Sequence, residues 1–116
     1  MEDHTEESRV LCGANSYTQK FYWNNRFDRI PDEVKNELQV LCVWFTEENG
    51  GLIVFEFDDE GNLLIRTEAD EMDYYYDEIG AGLKVRQMQR EQKELFASLE
   101  LYYRASVLGQ YPEGLV

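Results

Sequence analysis

The stretch Val40-Leu41-Cys42-Val43-Trp44-Phe45-Thr46-Glu47-Glu48-Asn49-Gly50-Gly51-Leu52-Ile53-Val54-Phe55-Glu56-Phe57 decides how this chain folds. Its first six residues are apolar on every side, which suits either a buried helix end or a central strand. Asn49-Gly50 tips the reading toward strand. Both residues tolerate positive φ, so a type I′ turn can form there with the twist that flanking strands need. Leu52 to Phe57, rich in β-branched and aromatic residues, supplies the returning strand. A second turn at Asp59-Glu60-Gly61, with Gly61 suited to a left-handed bulge position, leads to a third strand, Leu63 to Thr67. The expectation is an antiparallel meander over about residues 40–67, in which Phe55 faces Ile65 and Phe57 faces Leu63. Both faces of the middle strand are apolar near its centre, so cover is expected on both sides.

Upstream, Val10 to Ala14 reads as a short strand. Tyr17, Gln19, Phe21 and Trp23 alternate with Thr18, Lys20 and Tyr22 in a second, with Asn15-Ser16 turning between them. Pro31-Asp32-Glu33 starts a helix: proline suits a first turn whose N–H groups lack partners, and the acids favour the positive end of the helix dipole. Val34, Leu38 and Leu41 follow at helical spacing, giving a short helix over about 31–38.

Downstream, the period turns helical from about Glu71. Val85, Met88, Gln92, Leu95, Leu99 and Tyr102 alternate steps of three and four, and Phe96 and Tyr103 widen the stripe. Arg86, Arg90, Lys93 and Arg104 cluster on the opposite face. Ile79 and Leu83 project toward that basic side, which a kink or break across Gly80-Ala81-Gly82 would reconcile. A straight helix from Asp77 to Ser106 would run ~45 Å, against a radius of gyration of only ~13–14 Å for a domain this size. Gly109 and Pro112 end the helix. The predicted fold is therefore α+β: an antiparallel sheet of four or five strands, a short helix, and a long C-terminal helix over about 72–106. Residues 1–116 form one domain, with 1–8 as a flexible tail.

Charge is distributed unevenly. Of the net −13, a balance of −11 lies between Glu47 and Glu78, where twelve acids meet one base, Arg66. Such a field repels nucleic acid and anionic lipid and attracts cationic partners. Tyr17, Phe21, Tyr22 and Trp23 resemble a base-stacking platform, but platforms need a basic groove. No apolar run approaches the ~20 residues of a membrane span. The start Met1-Glu2-Asp3-His4 lacks the features of a secretory signal, so a cytoplasmic location is expected. Cys12 and Cys42, in apolar company, read as reduced, buried and not joined to each other.

The strongest candidate site is the acidic segment itself. Asp70, Glu71 and Asp73 are interleaved with Tyr74 and Tyr75, and tyrosine supplies contact area at low entropy cost. These five residues are the expected partner-binding surface, for a basic protein or for the basic helix face of a second copy. The competing reading is a solvated loop whose acids gather at a helix start. Asp58-Asp59-Glu60-Gly61-Asn62 invites a calcium reading, but hairpin-turn chemistry accounts for the same residues, and no metal site or cofactor is expected. Catalysis has little to stand on. His4 is the only histidine, Cys12 has no evident base, and no phosphate-binding glycine loop is present. The expected function is a non-enzymatic interaction module of adaptor or toxin-neutralising type. The alternative is a structural or regulatory homodimer built on the long C-terminal helix.

Four segments carry a resemblance: Val10-Leu11-Cys12-Gly13-Ala14-Asn15, Pro31 to Leu38, Phe45-Thr46-Glu47-Glu48 through Gly50-Gly51, and Tyr76-Asp77-Glu78-Ile79-Gly80 leading to Ser98-Leu99-Glu100-Leu101-Tyr102-Tyr103. Together the chain resembles a family of small acidic bacterial proteins with no assigned function. The resemblance implies a bacterial, cytoplasmic protein and brings no catalytic or binding residues.

Overall fold

In the computed structural model, which describes residues 9–110, Asp32–Asn49 is one helix of 18 residues, α1. Val40–Phe45 is thus helix interior, and the strand expected there does not form. Leu38, Cys42 and Phe45 are buried along one face, with Val34 and Leu41 packed beside them. Val40 and Val43 point to solvent, 65% and 38% exposed. An all-round apolar run had suggested burial on two sides, whereas a helix needs only one. Asn49-Gly50 is correspondingly not a hairpin loop. Gly50 N–H donates to Thr46 O at 2.9 Å, and Gly50 and Gly51 take φ of 80° and 71°. The same tolerance of positive φ that suits a type I′ turn ends a helix equally well.

The sheet has four strands in the order β2-β1-β3-β4, every neighbour antiparallel. β1 is Val10–Asn15, β2 Lys20–Trp23, β3 Leu52–Phe57 and β4 Leu63–Glu68. The β3–β4 hairpin keeps the expected register, Phe55 opposite Ile65 and Phe57 opposite Leu63. Its other half differs from the expected meander: β1, not residues 40–48, lies beside β3. Since β2 and β3 both run antiparallel to β1, they are parallel to each other. Such a pair needs a long crossover, which α1 provides.

Among the described residues the helices pack on one face of the sheet, and the expected cover on both faces of β3 is not found there. Ile53, Phe55 and Phe57 are buried, while Leu52, Val54 and Glu56 on the other face are half-buried. There Arg66 binds Glu56 at 3.1 Å and Glu68 at 2.6 Å.

The C-terminal helix starts at Glu78 and is divided into α2, Glu78–Glu91, and α3, Lys93–Ser106. Residues 72–77 are loop, and the break falls at Gln92 (φ −110°, ψ 30°) rather than across Gly80–Gly82. Turning there lets Met88 of α2 and Phe96, Leu99 and Tyr103 of α3 join one core. Phe96 meets Phe55 edge-on at 5.7 Å, and Tyr103 stacks on Phe57 at 4.2 Å. Arg104 donates to Glu60 O and Asn62 Oδ1, and Glu100 accepts from Leu63 N–H at 2.8 Å, so α3 clamps the β3–β4 turn. Gly109 follows α3 with φ 70°. The expected tail, residues 1–8, and Pro112 lie outside the described residues.

Cys12 and Cys42 are fully buried and free, on β1 and α1. The hydrogen-bonded Cys42 thiol beside it, together with burial, raises the Cys12 thiol well above its usual value. Only a thiolate reacts readily. Titration of the native protein with a thiol reagent should therefore be slow and should become rapid on unfolding; fast native labelling of Cys12 contradicts this packing. At the α1 stop, a Cβ on Gly51 would lie 2.5 Å from Glu68 O and 2.6 Å from the Tyr76 ring. Gly51→Ala should cost ~2–3 kcal/mol and lower the melting temperature by about 10 °C or more, whereas a shift under about 2 °C contradicts the close approach.

Candidate interaction surface

Residues 69–77 connect β4 to α2, and short polar contacts hold them. Asp70 Oδ1 accepts from Met72 N–H at 2.9 Å, and Asp73 Oδ1 accepts from Tyr75 N–H at 3.2 Å. Asp73 N–H donates to Asp70 O at 2.9 Å. These are Asx-type turns, the local use to which short acids are suited.

Two distant elements tie the loop down. Tyr17, in the β1–β2 turn, donates its hydroxyl to Asp73 Oδ2 at 2.7 Å and accepts from Asp70 N–H at 3.0 Å. Asp73, accepting that proton, raises the Tyr17 hydroxyl's pKa, and the Asp70 N–H offsets this only in part. At the α1 stop, Asn49 Nδ2 donates to Asp77 O at 3.3 Å and the Tyr76 ring lies against Gly51. The Tyr76 hydroxyl is itself buried and has no hydrogen-bond partner among the described residues.

The five residues expected from sequence share this loop but divide in two. Asp70, Glu71 and Asp73 line an open depression of about 560 Å³, completed by Asp77, Glu78 and Ile79 among others. Tyr74 and Tyr75 stand outside that lining, 80% and 97% exposed. Met72 joins them at 69%, its Sδ accepting from the Tyr74 hydroxyl at 3.8 Å. Ile79 and Leu83, on the first turns of α2, are 78% and 56% exposed. Carboxylates and exposed apolar side chains thus occupy one continuous surface.

Tyr17 and Tyr76 were not singled out as anchors, because nothing local marks contacts that span more than fifty residues for Tyr17 and about twenty-five for Tyr76. Ile79 and Leu83 did carry a signal: their phase placed them on the basic side of the helix, where they indeed lie. The basic cluster is smaller than expected. Arg86, Arg90 and Lys93 are exposed and form no ion pair among the described residues, whereas Arg104 is half-buried against the β3–β4 turn. Lys84 instead turns to α1, 3.8 Å from Glu48 and 5.4 Å over the Trp44 ring.

The other sequence candidates have local explanations. Asp58 binds its own turn: Oδ1 accepts from Glu60 and Asn62 N–H, and Oδ2 from Asn62 Nδ2. Partial burial opposes its ionisation, but these hydrogen bonds outweigh that and hold its carboxyl below the usual range. No group of three or more metal-ligating side chains comes together among the described residues. No helix there is long and apolar enough to cross a membrane.

No curated protein and no solved structure matches the chain. A family profile does, over residues 8–111, which is most of its length. The chain belongs to DUF6145, a family of unknown function.

Proposed function

We propose that this protein is a non-enzymatic interaction module whose loop 69–77, with the start of α2, binds a basic protein partner, as an adaptor or a toxin-neutralising protein would. One observation carries the reading. Asp70, Glu71, Asp73, Asp77 and Glu78 form no ion pair among the described residues, and beside them Met72, Tyr74, Tyr75 and Ile79 are each more than two-thirds exposed. Charge steers and selects, while desolvated aromatic area supplies most of the binding energy, and both are offered together here. The Asx turns and the Tyr17 latch favour a loop pre-formed for its partner, which lowers the ordering cost of binding. The exposure of Asp70, Glu71, Asp77 and Glu78 to water supports binding over catalysis, since acid–base catalysis is favoured where the reacting groups are shielded from it. A cytoplasmic, bacterial setting belongs to the same proposal.

A Lys/Arg-rich peptide carrying one or two leucines is a suitable probe, followed by backbone amide shifts. Perturbations should centre on Asp70–Ile79 and weaken with salt. Combined Asp70→Asn, Glu71→Gln and Asp73→Asn keeps one acceptor oxygen on each side chain, enough for both Asx turns, and places at Asp73 an amide N–H that can donate to the Tyr17 hydroxyl in place of the bond it now accepts. It should weaken binding at least ~10-fold while moving the melting temperature little, because exposed charges contribute little to stability. Perturbations spread over all acidic surfaces, or unchanged by the triple substitution, contradict the proposal.

A further inference from the structure

The exposed face of α2 has an order along its length that one copy of the chain does not use. The buried face runs through Ala81, Val85 and Met88. At 100° per residue, Ile79, Leu83, Arg86 and Arg90 follow in steps of four, three and four and form a stripe on the opposite side. At the N-terminal end of that stripe lies the acidic depression, whose lining includes Glu71, Glu78 and Ile79. Ile79 and Leu83, 78% and 56% exposed, form its centre. Arg86 and Arg90, followed by Lys93 at the start of α3, form its C-terminal end, with no ion pair among the described residues. Beside the stripe, a Cβ on Gly82 would meet no atom within 4 Å. Nothing within one copy calls for glycine there, although it costs a helix about 1 kcal/mol against alanine.

We infer that this stripe pairs with the same stripe of a second copy, the two α2 helices running antiparallel about a two-fold axis near Leu83. The inference rests on the proposed role of the acidic loop and names its cationic partner surface as Arg86, Arg90 and Lys93 of another copy. Direction follows from charge. Antiparallel helices bring the acidic end of each onto the basic end of the other, whereas parallel helices oppose acid to acid. Distance agrees. At 1.5 Å per residue, Glu78 lies ~7.5 Å from Leu83 toward the N-terminus, and Arg86 and Arg90 lie ~4.5 and ~10.5 Å toward the C-terminus. Measured along the helix axis, Glu78 on the flank of one stripe falls level with the interval between Arg86 and Arg90 of the other, and Glu71 belongs to the same acidic depression at that end. A two-fold contact makes each pairing twice. Ile79 and Leu83 meet their counterparts between the charged ends, and the absence of a side chain at Gly82 lets the helices approach.

Sedimentation equilibrium of the full chain from about 1 µM to about 1 mM, at low and high salt, tests this. The mass should rise with concentration to twice the 13.7 kDa chain, and less so at high salt. Arg86→Glu with Arg90→Glu should leave a monomer, as should Glu71→Lys with Glu78→Lys. An equal mixture of the two variants should recover a dimer containing one of each, because both charged ends are then complementary again. That recovery also shows that the substituted chains are folded. A parent that stays monomeric throughout overturns the inference; binding of the cationic peptide at Asp70–Ile79 in the same sample then leaves the acidic loop's role standing alone. A dimer that survives either double substitution, or variants that do not recover on mixing, overturns it as well.

Discussion

The reversal at Asn49-Gly50-Gly51 is the constraint on which the rest of the chain's arrangement depends. α1 runs 18 residues across the sheet, and two consecutive residues with positive φ stop it. Gly51 O then accepts from Ser16 N–H, which fixes β3 beside β1. The same corner receives the Tyr76 ring and donates from Asn49 to Asp77 O. A single stop therefore ends a helix, aligns the central strand pair and anchors the acidic loop more than twenty residues downstream. No other residue serves at Gly51: its φ of 71° and the 2.5 Å that a Cβ would leave to Glu68 O exclude one.

Packing follows from that alignment. With β1 and β3 as the central pair, Cys12 and Phe55 face the helices from adjacent positions, and Cys42, Phe96, Tyr103 and Phe27 close over that face. α2 packs on α1 while α3 packs on β4, and the turn at Gln92 lets both add side chains to one core. Because α2 then meets the body through Ala81, Val85 and Met88, its far side must face water. Ile79 and Leu83 are exposed as a geometric consequence, not as scattered surface residues of the kind any protein carries.

What sequence made legible follows the range of each interaction. The register of the β3–β4 hairpin was readable, since it depends on a five-residue connection and on local alternation, although β4 runs one residue past the expected Thr67. The helix start at Pro31 was readable for the same reason; the acidic loop was not, since residues 72–77 were expected to be the first turns of the helix that begins at Glu78. The fate of Val40–Phe45 was not, because Asn-Gly serves a hairpin and a helix end equally well, and only the presence of β1 beside β3 decides between them. Placing the break at Gly80–Gly82 assumed that all apolar residues of the helix must be buried together. Ile79 and Leu83 violate that assumption, and Gln92, an ordinary helix former, gives no sign that it interrupts one. Within the candidate surface, the acids and tyrosines of residues 70–75 were visible as composition. Their latch, Tyr17, was not, since it lies in a different hairpin.

Composition alone also left open whether the acidic segment was a shaped surface or a solubilising coat. The structure shows how that segment is held: by Asx turns within the loop, the Tyr17 hydroxyl on one side, and the α1 stop on the other. The contact that joins the helix stop to the loop is therefore the place to test the account. Nuclear Overhauser contacts between the Tyr76 ring protons and the Gly51 α-protons measure it directly. The account predicts strong contacts in the free protein, together with helical carbon shifts continuing through Val40–Asn49. Their absence while the β3–β4 hairpin remains formed, or extended shifts over Val40–Phe45, would contradict it.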